Sequence, residues 1–306
     1  MLKEWELIPC DICGSTTFSI FWEKRTSKYV KCSQCGHVFV SPQWTPEVIK
    51  TEADELAKGH HATDERIESD FSSFIREYIH YPRLSFVEKY KKNGRLLDVG
   101  CATGAFMSSA RMRGWEPFGI ELSQVSARYG REVEHLDIHV GTLFDAGFAS
   151  GYFDVVTMWE VIEHLPAPTG YLREVKRILR EGGAALLSTP NVNSLTRLII
   201  GKKWEVISPE EHLHLFSERT VKTLFEKSGF LVSRSVTEDI NPLLIIRNLV
   251  SRKRSNDRGE KRREIVALRN MIEKHRILKS SRRAMNTILS RIKLGDTLVV
   301  LAEKAQ

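Results

Sequence analysis

Residues 95–106 read Arg-Leu-Leu-Asp-Val-Gly-Cys-Ala-Thr-Gly-Ala-Phe, and this stretch decides the fold. The apolar run from Leu96 to Val99 is typical of a parallel strand that is covered on both faces. Gly100 and Gly104 follow it, and because neither carries a Cβ, the backbone there can turn tightly and approach a ligand closely. The stretch therefore predicts a buried strand, a glycine turn and a helix, with a nucleotide-like ligand bound at the turn.

Beyond the turn, short apolar runs alternate with amphipathic segments of about ten residues. Strands are predicted over residues 118–121, 138–143, 153–158, 183–189, 230–236 and 296–301, and helices over 105–113, 124–134, 169–180 and 217–228. Together with the strand at 95–99, this alternation predicts a doubly wound α/β fold built on a mostly parallel, seven-stranded sheet. In such a sheet, ligands bind at the carboxyl ends of the strands.

Four of the five cysteines form two Cys-x-x-Cys pairs, Cys10 with Cys13 and Cys32 with Cys35, and a glycine follows each pair. This spacing is typical of zinc knuckles, in which each turn aims two thiolates at one tetrahedral ion. We therefore predict a structural zinc ion in a ribbon at residues 1–42. Two interpretations of the ribbon stay open: zinc stabilises a segment too short to fold alone, or the ribbon also binds nucleic acid or a partner.

Residues 43–93 are predicted to form a linker and a helical cap on the larger domain at 94–306. Helices are expected over 46–58, from Asp64 to Tyr78, and from Leu84 to Tyr90, with Pro82 interrupting the last two. The simplest role for these helices is to pack on the larger domain near the mouth of its site.

The charge of the chain is unevenly distributed. Between residues 247 and 293, sixteen Lys or Arg stand against four acidic residues, so the rest of the chain is net acidic although the total is +7. The segment 243–293 has three interpretations: helices that cover the substrate pocket, contact with an anionic membrane surface, or nucleic-acid binding. Nucleic acid is disfavoured because the segment lacks aromatic residues for stacking.

Neither a signal peptide nor an apolar run of about 18 residues is found in the sequence. We therefore expect a cytoplasmic protein that can also associate peripherally with a membrane.

A cluster of acidic and imidazole groups follows the strand at 153–158. If Glu160 begins a helical turn, Glu163 and His164 share its face. With His212 or His214 arriving from a later segment, four oxygen and nitrogen donors could hold a divalent ion such as Mg²⁺ or Mn²⁺. Two alternatives stay open: Glu163 and His164 only cap the helix and orient loops, or His164 acts as a base without a metal, because its ordinary pKa lies near neutrality.

Taken together, several motifs resemble the class I methyltransferases that use S-adenosylmethionine. The motifs are residues 97–104, Glu121 at a strand end, residues 153–156, residues 159–165 and residues 179–183. The resemblance extends to the ubiquinone-biosynthesis-like branch, which also includes a segment similar to residues 209–216. In this family the last two strands pair antiparallel at the sheet edge, which makes 241–293 a helical insertion before the last strand.

The resemblance also implies which residues bind the cofactor. These are Asp98, Gly100, Cys101, Ala102, Gly104, Glu121, Leu122, Thr142, Leu143 and Glu160. Asp98 and the glycine turn would hold the amino-acid part, Glu121 would accept both ribose hydroxyls, and Thr142 would border the adenine. Ala102 replaces a glycine of the family, a change that costs little if its φ is negative. Cys101 is expected to be a small packing residue.

The implied activity is methyl transfer to an oxygen or carbon of a small metabolite, a saccharide or a lipid-linked intermediate. The catalytic residues expected from the resemblance are Glu160, Glu163, His164 and His214. The Glu-x-x-Glu-His pattern is also similar to the metal site of small-RNA 2′-O-methyltransferases and ubiquinone-type O-methyltransferases. Two alternatives stay open: an RNA methyltransferase that uses the ribbon and the basic insertion to bind nucleic acid, and a non-catalytic scaffold that binds the cofactor.

Overall fold

The N-terminal module is a small antiparallel sheet behind the two Cys-x-x-Cys turns. The computed structural model describes residues 5–6, 8–24, 27–44, 76–240, 245 and 275–305. In the module, β1 (Trp5–Glu6) pairs with β5 (Gln43–Trp44), while β2 (Phe18–Lys24), β3 (Ser27–Cys32) and β4 (Val38–Val40) form the ribbon sheet. The helices predicted over 46–58 and from Asp64 to residue 75, and residues 246–274 of the basic segment, lie outside the described residues.

The larger domain is a seven-stranded sheet with helices on both faces, which confirms the predicted fold class. Its helices are α1 (Tyr81–Glu88), α2 (Ala105–Arg111), α3 (Gln124–Glu132), α4 (Pro168–Ile178), α5 (Leu195–Ile200), α6 (Glu218–Lys227) and α7 (Arg276–Ile292). Its strands are β6 (Gly94–Val99), β7 (Trp115–Glu121), β8 (Asp137–Val140), β9 (Phe153–Trp159), β10 (Leu179–Pro190), β12 (Phe230–Glu238) and β13 (Thr297–Lys304), with β11 (His214–Leu215) outside this sheet.

The strand order is β12-β13-β10-β9-β6-β7-β8. The five neighbouring strands β10, β9, β6, β7 and β8 are parallel, and β13 runs antiparallel between β10 and β12. These strand directions agree with the antiparallel edge that the family resemblance implies.

Strand β6 lies in the interior of this sheet, between β9 and β7, and its side chains are apolar on both faces. Leu96 packs with Phe106 of α2 on one face, and Leu97 packs with Leu172 of α4 on the other. The helices that follow β6 and β9 therefore cover opposite faces of the sheet. The crevice between the carboxyl ends of these two neighbouring strands is where doubly wound folds bind their ligands.

Local structure differs from the sequence-based prediction at a few boundaries. Pro82 does not interrupt a helix but lies in the first turn of α1, where its missing N–H has no helical partner to lose. Strand β10 begins at Leu179, so α4 ends at Ile178 rather than at residue 180. Helix α5 was not predicted, because six residues carry too short a pattern for periodicity to detect.

The ribbon is joined to the larger domain through shared backbone pairing. Strand β11 adds to the ribbon sheet, with His214 opposite Phe39 and Leu215 opposite Val38. The predicted boundary at residue 42 thus separates two parts of the chain that contribute to one sheet.

Within the described residues, none of the helices has the length and hydropathy needed to cross a bilayer.

A second joint lies at the start of α4. The side chain of Asp11, between two cysteines of the first knuckle, accepts a hydrogen bond from the Thr169 N–H at 2.8 Å. The Asp11 carbonyl also accepts from the Thr169 hydroxyl at 3.1 Å. Since the first N–H groups of a helix lack partners within it, Asp11 acts as a cap supplied by another module.

We expect Asp11→Ala to lower the free energy of unfolding by about 1 kcal/mol, the typical value of a helix cap. Urea titration monitored by circular dichroism measures the change. The matched control is Asp137→Ala, which removes an exposed carboxylate at the start of β8 and should shift stability by less than about 0.5 kcal/mol. Equal effects of the two substitutions would contradict the cap.

Candidate active site

The glycine turn is held against the neighbouring strand by two backbone hydrogen bonds. The N–H groups of Gly100 and Cys101 donate to the carbonyl of Ile120 in β7, at 2.8 and 3.0 Å. Gly100 has a φ of +73°, and a Cβ added there would lie 2.6 Å from a methyl group of Val161. A side chain at this position is therefore excluded by both backbone conformation and space. The turn leaves an open backbone at the carboxyl end of β6.

Ala102 does not have the negative φ with which it could replace a glycine at little cost in stability. Its φ is +50°, in the left-handed region, which costs a non-glycine residue on the order of 1 kcal/mol. The Ala102 N–H donates to Oε2 of Glu121 at 2.9 Å, which helps to offset that cost. The strained conformation is thus tied to the acidic residue at the end of β7.

Glu121 is oriented by backbone donors on both of its oxygens. Oε1 accepts from the Ser123 N–H at 2.8 Å, and Oε2 accepts from Ala102. A carboxylate only accepts hydrogen bonds, and it offers about four lone-pair sites. The side chain is partly exposed, and neighbouring Leu122 is partly exposed as well. Glu121 can therefore accept two hydroxyl groups from a ligand at this edge.

Asp98 is buried at the end of β6, below the turn. Burial raises the pKa of Asp98 to about 7, while the Thr157 hydroxyl, which donates to Oδ1 at 2.7 Å, and the charge of Arg83 both lower it. Asp98 can therefore change its protonation state near neutral pH.

Cys101 behaves as a small packing residue, as the sequence indicates. Its side chain is buried beside Met107 and Ala127. Burial, with the negative charges of Asp98 and Glu121, raises the pKa of its thiol, so it stays protonated. Only the backbone of Cys101 contributes to the surface of the turn.

Thr142 and Leu143, the residues expected near the adenine, differ in their exposure and contacts. The Thr142 hydroxyl and N–H both donate to Oδ2 of Asp145, at 2.7 and 2.8 Å. Leu143 is buried in the core, so its side chain does not face a ligand.

Glu160 does not begin a helical turn, which corrects the predicted geometry. Its φ is +57°, and a 3₁₀ turn spans Ile162–His164 instead. Its carboxylate accepts a hydrogen bond from the Ser188 hydroxyl at 2.6 Å. The left-handed conformation thus directs this side chain towards β10.

Glu163 is buried close to Glu160, so two carboxylates meet at the carboxyl ends of β9 and β10. The Thr189 hydroxyl donates to Oε2 of Glu163 at 3.0 Å. Burial and the charge of Glu160 raise the pKa of Glu163 well above its usual range. A buried carboxylate of this kind either holds a proton or needs a cation.

Two imidazoles complete this cluster. One atom each from Glu163, His164 and His212 lie within 4.8 Å of one another. Nδ1 of His164 bonds the Glu211 carbonyl at 2.6 Å, and Nδ1 of His212 bonds the Val206 carbonyl at 2.8 Å. These bonds fix Nδ1 as the protonated nitrogen and leave Nε2 of each ring as the potential ligand atom.

His214 does not belong to this cluster, which corrects the prediction that it is catalytic. Its Nδ1 lies 2.9 Å from Nε2 of His37 in the ribbon, and the two rings stack. Both side chains are buried between Phe39 and Phe216. The later segment therefore presents His212, not His214, to Glu163.

Arg83 is a site residue that the sequence did not reveal. Its guanidinium lies over the ring of Trp159, 4.7 Å from the centroid, and close enough to Asp98 to influence its pKa. The only signal was one basic residue after Pro82 in the predicted cap.

The four ribbon cysteines converge on one point. Their sulfur atoms lie within 4.8 Å of one another, with Cys10 to Cys35 at 3.6 Å and Cys13 to Cys32 at 3.5 Å. A tetrahedral zinc ion with bonds of about 2.3 Å separates its sulfurs by about 3.8 Å. Burial raises the pKa of the Cys10 thiol, so the thiolate there needs a cation. The donor set fits zinc.

Comparison with known proteins was made on this fold and site. The chain is 33% identical over 122 residues to a ubiquinone biosynthesis O-methyltransferase of Idiomarina loihiensis, a match that covers 36% of this chain and 49% of that protein. A second such protein, from Chromobacterium violaceum, is 30% identical over 127 residues, covering 38% of this chain and 54% of the relative. The chain thus spans about half the length of the curated relatives it matches.

Solved structures share the fold at low sequence identity. One is a SAM-dependent methyltransferase from Archaeoglobus fulgidus, with a TM-score of 0.51, 19% identity and coverage of 75% of this chain and 94% of that one. Another is a possible histamine N-methyltransferase from Thermotoga maritima, with a TM-score of 0.52, 16% identity and coverage of 84% and 99%.

A protein-family model described as a methyltransferase domain matches residues 71–234. This span holds the glycine turn, Glu121 and the cluster of Glu163, His164 and His212, called the acidic cluster below. It exceeds half of the 306 residues. The chain therefore belongs to the methyltransferase domain family and has the fold of the class I S-adenosylmethionine-dependent methyltransferases.

Proposed function

We propose that this chain transfers a methyl group from S-adenosylmethionine to a hydroxyl oxygen of a small molecule, such as a metabolite, a saccharide or a lipid-linked intermediate. The observation that carries the proposal is the cluster of Glu163, His164 and His212, with Glu160 beside it, at the strand ends next to the glycine turn. Carboxylate and imidazole groups in one place can remove or stabilise a hydroxyl proton. The relatives named as O-methyltransferases support an oxygen acceptor.

The cofactor would lie along the carboxyl ends of β6 and β7. The open turn from Gly100 to Gly104 lets the backbone approach its methionine part, and Arg83 offers a cation for the carboxylate of that part. Glu121 is oriented to accept the ribose hydroxyls. When bound, S-adenosylmethionine supplies an electrophilic methyl group, and the chain's contribution is to hold the acceptor oxygen in line with it.

Glu163, His164 and His212 would hold a divalent ion. Because the set contains two imidazoles and one carboxylate, it suits Mn²⁺ or Zn²⁺ better than Mg²⁺. Such an ion lowers the pKa of a hydroxyl that binds to it. Without an ion, His164 can itself accept the proton, since burial lowers its pKa and keeps the ring neutral at pH 7.

Zinc at the four ribbon cysteines, a cytoplasmic location and membrane contact through residues 243–293 are further parts of the proposal. Calorimetry with S-adenosylmethionine, followed by transfer of a labelled methyl group to phenols, saccharides and RNA, tests the function. No binding would refute the enzyme, and binding without transfer to any acceptor class would favour the scaffold. Salt-sensitive methylation of RNA would favour the nucleic-acid alternative.

We expect Glu121→Ala to weaken S-adenosylmethionine binding by about ten- to a hundredfold, because two hydrogen bonds to a charged acceptor are lost. Isothermal titration calorimetry measures the dissociation constant. Glu132→Ala, at the exposed end of α3, is the control and should bind like the wild type. Unchanged affinity in Glu121→Ala would place the ribose elsewhere.

Glu163→Gln should lower kcat by about a hundredfold or more while the cofactor affinity stays within about threefold. The substitution keeps the volume of the side chain but removes its negative charge, so neither a proton nor a cation is held there. Steady-state kinetics and Mn²⁺ binding by electron paramagnetic resonance provide the two measurements. Retention of both kcat and Mn²⁺ affinity would remove Glu163 from the mechanism.

The raised pKa of Asp98 predicts a pH-dependent stability of the cofactor-free protein. Because the unfolded chain ionises Asp98 near its ordinary pKa and the folded chain only near about 7, stability falls as pH rises through this window. Asp98→Asn should weaken this fall, and Asp137→Asn should leave it unchanged. Melting temperatures at pH 5 and pH 8 measure the difference, and identical slopes in the wild type and Asp98→Asn would contradict the shift.

A further inference from the structure

The backbone of the segment that carries His212 is bound to the ribbon. The hydroxyl of Tyr29, in strand β3, donates to the His212 carbonyl at 2.7 Å. Tyr29 has no solvent exposure, and it lies 183 residues from His212 in the chain. A single buried side chain thus fixes the backbone of one of the three groups in the acidic cluster.

Leu213 connects the ribbon to the other two groups. Its N–H donates to the carbonyl of Glu163, and its own carbonyl accepts from the N–H of Val40 in strand β4, both at 2.8 Å. One backbone hydrogen bond therefore joins Leu213 to the turn that carries Glu163 and His164, and a second joins Leu213 to the ribbon.

The ribbon also binds the chain at two further places. Directly after Leu213, β11 pairs with β4, and His37 bonds His214 in a buried stack. On the other side of the catalytic turn, Asp11 caps α4 through Thr169. Both knuckles contribute, because Asp11 lies within the first and His37 follows the second. The turn at Glu163 and His164 is fixed between these two anchors.

We propose that the ribbon supports the active site, and that Tyr29 is a positioning residue which holds His212 in line with Glu163 and His164. The proposal rests on the proposed methyl transfer for its kinetic consequence. The metal that the four cysteines fit acts through the same contacts, since Tyr29 lies three residues before Cys32 and Val38 three residues after Cys35. Loading the ribbon therefore orders the catalytic cluster.

The test compares Tyr29→Phe with Tyr90→Phe in the full-length, zinc-loaded protein. Each substitution removes one hydroxyl that donates to a backbone carbonyl, since the Tyr90 hydroxyl donates to Gly182 at 2.6 Å, away from the ribbon. We expect Tyr29→Phe alone to speed amide hydrogen exchange by about tenfold in residues 206–216, because local opening becomes easier there. Residues 94–121 should exchange at the wild-type rate in both variants.

Kinetics distinguish positioning from general stability. Tyr29→Phe should lower kcat by about tenfold or more, with an unchanged dissociation constant for S-adenosylmethionine and an unchanged acceptor KM, because a displaced His212 affects only the reacting geometry. Tyr90→Phe should match the wild type. Faster exchange throughout Tyr29→Phe, or wild-type exchange in residues 206–216, would overturn the proposal. So would local exchange with an unchanged kcat.

Removal of the ribbon metal by Cys35→Ser gives an independent measurement, because a chelator would also remove an ion bound by Glu163, His164 and His212. Metal content is followed by elemental analysis, and exchange in residues 206–216 should rise while residues 94–121 stay protected. Wild-type protection of 206–216 in the zinc-free protein would refute the coupling to the ribbon metal. The exchange measurements need no acceptor, so they remain decisive even if methyl transfer itself is not found.

Discussion

The hydrogen bonds from the glycine turn to the Ile120 carbonyl are the constraint on which the site depends. They fix the end of β6 against the end of β7, so that Ala102 reaches the carboxylate of Glu121. The same turn leaves no room for a side chain beside Val161, which leads into the acidic cluster. One short backbone segment therefore contacts both Glu121, on one side of the crevice, and the chain that leads to Glu163, on the other.

The sequence predicts the fold well because the signals for it are local. Apolar runs and helical periodicity specify β6 and the alternation after it, and cysteine spacing specifies the ribbon. The site is predicted less completely. Glu160 adopts a left-handed conformation that propensity disfavours, and the choice between His212 and His214 depends on His37, which lies 177 residues away from His214. Arg83 likewise reaches Trp159 and Asp98 only through contacts between distant segments.

The acidic cluster shows how burial and function are linked in this fold. Glu163 lies in the interior, where the Thr189 hydroxyl donates to its carboxylate and the like-charged Glu160 lies close by. Such a group costs stability unless it binds a proton or a cation. The chain tolerates the cost where the carbonyls of Glu211 and Val206 orient two imidazoles towards the same point. The arrangement is consistent with stability given up for a reactive centre.

Strand β11 has only two residues, yet it completes a sheet whose other strands lie at the start of the chain. During synthesis the ribbon is made before β11 and keeps an unpaired edge along Val38–Val40 until residue 215 has been made. That edge can pair with other chains in the interval. The sheet of the ribbon is therefore complete only after most of the larger domain has been made.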